Sequence, residues 1–145
     1  QMKKKKVQKH YKALLTGHLV PKTGTIDAPI GRSHHDRKKM AVTYSEKNAV
    51  THYEVLKYFS GFTFVDVRIE TGRTHQIRVH FRAIGFPVAG DSVYGLRSVN
   101  EKLGLRRQFL HACKIQFQNL DGKSILIESR LPEDLEDVFQ KLRSL

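Results

Sequence analysis

Apolar and polar positions alternate with a period of two along most of this chain, the pattern of strands that bury one face. Residues 7–15 (VQKHYKALL) place Val7, Tyr11, Ala13 and Leu15 on one side, and Gly17, Pro21 and Gly24 end the run. Residues 39–45 read as a short strand. Residues 50–59 and 62–70 read as a hairpin closed at Ser60-Gly61, and in its second arm Thr63, Val65, Val67 and Ile69 alternate with Phe62, Phe64, Asp66, Arg68 and Glu70, as in a half-buried strand. Two more strands, 112–118 and 124–129, flank an Asp121-Gly122 turn.

Past residue 74 the period becomes helical. Ile77, Phe81 and Ile84 follow i, i+4, i+7 and form a stripe expected to pack, while His75, Arg78 and Arg82 form a second stripe expected to face charge. Thr74 is the expected N-cap, Gly85 the stop, and Pro87 prevents continuation. Pro132 opens a final helix with Glu133 and Asp134 in its first turn and Lys141 and Arg143 in its last, the order the helix dipole favours. The expectation is a single α+β domain, a mostly antiparallel sheet with two main helices.

Composition narrows the partners. At 145 residues and 39% hydrophobic content the chain supports one modest core. It has no apolar run of membrane-spanning length, and the opening QMKKKK lacks the apolar stretch of a signal peptide, so a soluble cytoplasmic protein is expected. The single cysteine, Cys113, has no partner for an internal disulfide, which suits a reducing compartment. Net charge is +12, unevenly spread: residues 120–145 hold six acids against four bases, leaving +14 on residues 1–119. A field of that sign attracts phosphate backbones through counterion release. The lysine run at 3–6 is read as the exposed end of a helix.

Several chemistries fail on spacing. His75 and His80 are five apart, about 140° around a helix, not the i, i+4 pair of a zinc site. His34-His35-Asp36 has no nearby cysteine and a basic flank. Residues 85–92 have the glycine spacing of a phosphate loop, but Asp91 stands where lysine is required. Cys113 beside His111 suggests a thiol nucleophile, but its apolar neighbours favour a buried thiol.

The decamer TGRTHQIRVH (71–80) resembles a motif of the RluA-type pseudouridine synthases, which isomerise uridine in ribosomal and transfer RNA. The resemblance runs in order through KHYKAL (9–14), GTI (24–26), API (28–30), KMAV (39–42), AVTHY (49–53), the decamer, GDSVYG (90–95) and RQFLHA (107–112). It implies an enzyme that breaks the bond between ribose and N1 of uracil and rejoins the base through C5, with no cofactor or metal. Its partner is RNA, ribosomal or transfer, with no membrane and no nucleotide cofactor. Carried over to matching positions, Arg78 pairs with the catalytic aspartate, Tyr11 stacks on the target base, and Leu110 belongs to the apolar lining of the pocket. Arg73, Thr74, His75, Arg82, Lys39, Arg37 and Arg32 are expected to contact phosphate.

One departure matters. The His-Arg-Leu-Asp segment that carries the family's catalytic aspartate has no counterpart, and none of the seven aspartates stands in such a context. Residues 1–145 are therefore expected to form one partial catalytic domain, inactive alone, with the acidic partner of Arg78 on polypeptide outside the chain. Two alternatives stay open: a non-catalytic RNA-binding relative that keeps Arg78 for docking, and a general basic nucleic-acid binder.

Overall fold

A computed structural model describes residues 7–36, 38–43 and 47–144. Six antiparallel strands form one sheet in the order β2-β5-β6-β1-β7-β8, with β1 Gln8–Thr16, β2 Thr23–Asp27, β5 Val50–Phe59, β6 Phe62–Ile69, β7 Leu110–Gln118 and β8 Ser124–Glu128. A separate two-stranded hairpin joins β3 Ile30–Arg32 to β4 Met40–Val42. The helices are α1 Gln76–Ala83, α2 Arg97–Leu103 and the short α3 Glu133–Glu136, which tightens into a 3-10 turn over Asp137–Lys141. No helix among the described residues is long and apolar enough to cross a membrane.

The α+β, mostly antiparallel expectation holds. The β5–β6 hairpin falls where the alternation placed it, turning at Gly61 with φ 81°. Thr63, Val65, Val67 and Ile69 are the buried positions of β6. β1 lies inside the sheet and is covered on both faces. Tyr11, Ala13 and Leu15 join Val65, Val67 and Tyr53 against Ile77 and Phe81 of α1. Leu14 points the other way, into a core with Phe109, Leu135 and Val138. There Phe139 packs its ring against Phe64, Phe59 and Phe109 at centroid distances of 5.0, 5.6 and 5.6 Å, within the range of favourable aromatic pairs.

Several boundaries differ from expectation. Thr74 is exposed and does not cap α1. His75 holds the cap position in the left-handed region, and the Gln76 side chain reaches back to accept the Arg73 amide. Ile84 is 39% exposed because α1 ends there and Gly85, with φ 92°, turns the chain away. The apolar stripe is also too narrow a description of α1. Val79 is buried as well, since the β3–β4 hairpin packs Ile30 and Met40 against its flank, and Gln76 and His80 are buried where their side chains bond to Thr51 of β5. Helix α2 and strands β2 and β3 lacked a readable period.

The last helix is α for only one turn. Lys141 donates to the carbonyl of Leu103 across the fold, and Arg143 lies beyond the helix end. Strand β4 is shorter than the expected 39–45, of which residues 44 and 45 lie outside the described residues, as does the lysine run at 3–6.

Phe109 is fully buried at the junction of β7 with the second core, so Phe109→Ala is expected to cost about 3–5 kcal/mol, read as a lower midpoint in urea unfolding at unchanged slope.

Candidate active site

Along the α1-facing side of β1, successive alternate residues pass from core to solvent. Leu15 and Ala13 are fully covered, Tyr11 is half-buried, and Lys9 is exposed. A cleft of about 320 Å³ opens where the cover stops. Tyr11 and Lys9 supply one wall, residues 72–73 and 75–78 another, and Gln108 and Leu110, before and at the start of β7, the third. Pairing of Tyr11 with Val67 of β6 and Ala112 of β7 fixes the tyrosine at the centre of the sheet. Burial raises the Tyr11 phenol above its usual range, so the group stays protonated at neutral pH.

Arg78 leaves α1 on the cleft side and meets a carboxylate of the same chain. Its Nε donates to Asp91 Oδ2 at 2.7 Å and its Nη2 to Asp91 Oδ1 at 2.9 Å, a bidentate fork. The Asp91 side chain is 0% exposed and that of Arg78 11%. Asp91 Oδ1 also accepts the amides of Val93 and Tyr94. Burial alone would raise the Asp91 pKa, but the guanidinium and these amides bring it below the ordinary carboxylate range. The same hydrogen bond raises the Arg78 pKa against the effect of its own burial. The Tyr94 ring lies 5.1 Å from the guanidinium carbon, and its hydroxyl accepts the Met40 amide. Nη1 of Arg78 has no partner among the described residues.

The loop that delivers Asp91 depends on two glycines. A Cβ on Gly90, where φ is 82°, would sit 2.1 Å from the Arg107 carbonyl oxygen, and one on Gly95 would sit 2.5 Å from that of Asp91. Asn100 of α2 ties the loop down, accepting from the Gly90 amide and donating to the Asp91 carbonyl.

His75 is the one non-glycine residue with positive φ (55°) among those described. Its Nδ1 lies 2.9 Å from the Tyr94 hydroxyl. Burial and the neighbouring Arg78 charge lower its pKa, so the ring is neutral near pH 7. A strained residue at a cleft is a recurrent mark of function.

The structure therefore gathers Tyr11, Arg73, His75, Arg78 and Leu110 in one place. Arg73 is held by an Nε hydrogen bond to the Asn48 carbonyl. The remaining expected RNA contacts lie elsewhere. Thr74 is exposed beside the cleft without lining it, and Arg82 lines a different depression with Met40, Val42 and Tyr94. Arg32 and Lys39 sit on the β3–β4 hairpin, and Arg37 is outside the described residues. Within this chain Arg78 pairs with Asp91, a partner that the sequence expectation, which placed an acid outside the chain, did not name. Sequence reasoning quoted Asp91 only within the GDSVYG block and as the residue that excludes a phosphate loop. Lys9, Gln76 and Gln108 carried no signal beyond membership of matching blocks.

Comparison with known proteins points the same way. Residues 1–83 match the family model described as RNA pseudouridylate synthase. An uncharacterised RNA pseudouridine synthase of Bacillus subtilis is 46% identical over 144 residues, which is 99% of this chain and 46% of that protein. Ribosomal large subunit pseudouridine synthase D of Nitrosomonas europaea is 44% identical over 151 residues, all of this chain and 44% of its own length. The solved structure of human RNA pseudouridylate synthase domain containing 1 superposes with a TM-score of 0.81 at 31% identity, covering 96% of this chain and 60% of that one. The chain thus spans about half the length of the curated relatives it matches.

Because the folded Asp91 pKa is depressed, its contribution to stability is complete above the unfolded value near pH 4 and is lost as pH falls below it. Asp91→Asn is expected to lower stability at pH 7 by about 3–5 kcal/mol, by leaving a buried guanidinium uncompensated, and to flatten the loss of stability below about pH 4. Urea unfolding at a series of pH values measures both.

Proposed function

The chain belongs to the RNA pseudouridylate synthase family, and from that premise we propose that it forms part of the catalytic domain of an enzyme converting uridine in RNA to pseudouridine. The observation that carries the reading is the meeting of Tyr11 and Arg78, 67 positions apart in sequence, in one cleft at the sheet centre.

In the reaction the ribose C1′–N1 bond breaks, a C1′–C5 bond forms, and the proton that leaves C5 is balanced by one gained at N1. No atom is added or lost. A target base must first leave its stack at a cost of a few kcal/mol, and the Tyr11 ring offers a flat surface that offsets part of it. Leu110 beside it keeps the base out of water. Asp91 fixes one edge of the Arg78 fork, leaving Nη1 to receive a second carboxylate, which orients that acid and favours its ionised form. We assign the second carboxylate to polypeptide beyond these 145 residues, since the relatives are about twice as long and no aspartate of this chain lines the cleft. Arg73 and His75 at the cleft, with Arg82, Thr74, Arg32 and Lys39 on the surrounding surface, contact phosphate, and Arg37, outside the described residues, is assigned the same role from the sequence. The substrate is ribosomal RNA and the setting cytoplasmic, in keeping with relatives named for the ribosomal large subunit.

One observation favours a second reading. Arg78 is already satisfied bidentately by Asp91, an arrangement that a non-catalytic RNA-docking relative would also keep.

The test is nucleoside chromatography of unmodified large-subunit ribosomal RNA after incubation with the parent protein. Pseudouridine is expected from the parent and none from residues 1–145 alone. Arg78→Lys, which keeps charge but not the fork, is expected to lower kcat roughly 10²–10³-fold, and Tyr11→Ala to lower it comparably. Product from the isolated chain would remove the external carboxylate. Full activity of both variants, or an inactive parent that still binds RNA, would favour the docking reading.

A further inference from the structure

Two glutamines line the cleft in opposite states. Gln76 is 3% exposed and fully used. Its Oε1 accepts from the Thr71 hydroxyl at 2.6 Å and the Arg73 amide at 3.1 Å, while its Nε2 donates to the Val50 carbonyl at 2.9 Å and to Thr51 Oγ1 at 3.0 Å. Gln108 is half-buried, and its carboxamide has no hydrogen-bond partner among the described residues. Its neighbours are fixed on both sides. Arg107 forks onto Asp134 at 2.8 and 2.9 Å, and Phe109 is fully buried in the core on the opposite face. Gln108 and Leu110 therefore share the side of the chain that lines the cleft with Tyr11 and Arg78. The Gln108 amide is not a buried unsatisfied group, so water reaches it and a ligand in the cleft can take the place of that water.

We infer that Gln108 is a specificity-determining residue that reads the imide edge of the uracil ring, C2=O, N3–H and C4=O. The inference rests on the proposed function above. A carboxamide matches that edge bidentately, Oε1 accepting N3–H while Nε2 donates to one carbonyl. The match has a second property. The half-turn that puts C5 where N1 stood is a rotation about the axis through N3 and C6, and it exchanges C2=O with C4=O while leaving N3–H in place. One fixed amide thus makes the same two hydrogen bonds to uridine before the turn and to pseudouridine after it. Gln108 holds the edge that does not change while the opposite side of the ring is rearranged, and Gln76, with no free valence, cannot do this.

The test titrates the chain, by amide NMR, with three RNA hexamers: all uridine, all pseudouridine, and all N3-methyluridine. Gln108→Ala is expected to weaken the uridine and pseudouridine hexamers by the same factor, about ten-fold, and to leave the N3-methyluridine hexamer unaffected, because its N3 has no proton to give. Gln108→Met, similar in size and without the amide, should reproduce the result and serves if the alanine variant unfolds. No weakening, or equal weakening for all three hexamers, overturns the role of Gln108 while leaving the cleft reading intact. If Tyr11→Ala binds every hexamer as tightly as the native chain, or if neither the native chain nor the parent protein binds any of them, the base does not enter this cleft and both readings fall.

Discussion

The ion pair between Arg78 and Asp91 is the constraint around which the cleft is assembled. A carboxylate with no exposed surface is stable only if its charge is matched and its lone pairs are used. Here the guanidinium supplies two hydrogen bonds and the amides of Val93 and Tyr94 two more. That requirement bends the 90–95 loop back onto α1. The bend is possible because Gly90 and Gly95 sit where any Cβ would collide with backbone. The same loop carries Tyr94, which supports the guanidinium from below, takes the Met40 amide and touches His75. Asn100 extends the arrangement to α2. One buried charge thus sets the positions of a helix, a hairpin and a strained turn.

The sheet decides where this assembly opens to solvent. β1 is covered on both sides, by α1 and by the C-terminal helices, and the cover stops short of its N-terminal half. Tyr11 lies at that limit, with the apolar body of its ring packed on the core and its flank facing the cleft. A tyrosine at this boundary is held rigidly and still reachable, the combination a stacking surface needs. The polar positions around it differ in freedom. Gln76 and Arg73 are committed to shaping the turn before α1, whereas Lys9, Gln108 and Nη1 of Arg78 are not so engaged.

Charge and geometry act at different ranges. The +14 carried by residues 1–119 favours a phosphate backbone at a distance and has no bearing on which base is chosen. In the proposed reading, choice within the cleft falls to the few groups whose valences remain open. Arg82, Arg32 and Lys39, on the far flank of α1 and on the β3–β4 hairpin, belong to the long-range field rather than to the cleft itself.

Period-two and helical repeats of apolar residues record burial directly, and they were enough to locate the β5–β6 hairpin, the strands β1, β7 and β8, and α1. The ordered blocks, through family resemblance, also singled out Tyr11, Arg78 and Leu110. Helix α2 was invisible because it buries little besides Leu103 and so has no stripe. The burial of Val79 and His80 of α1 was not anticipated, because the β3–β4 hairpin and Thr51 of β5 that cover them lie outside the helix's own repeat. The match of Arg78 to Asp91, thirteen residues on, and the contrast between one saturated and one open glutamine in the cleft are visible only in the folded chain. Periodicity reports how much of a residue is buried. The partner of a charge or an amide depends on the path of the intervening loop, which no local repeat encodes.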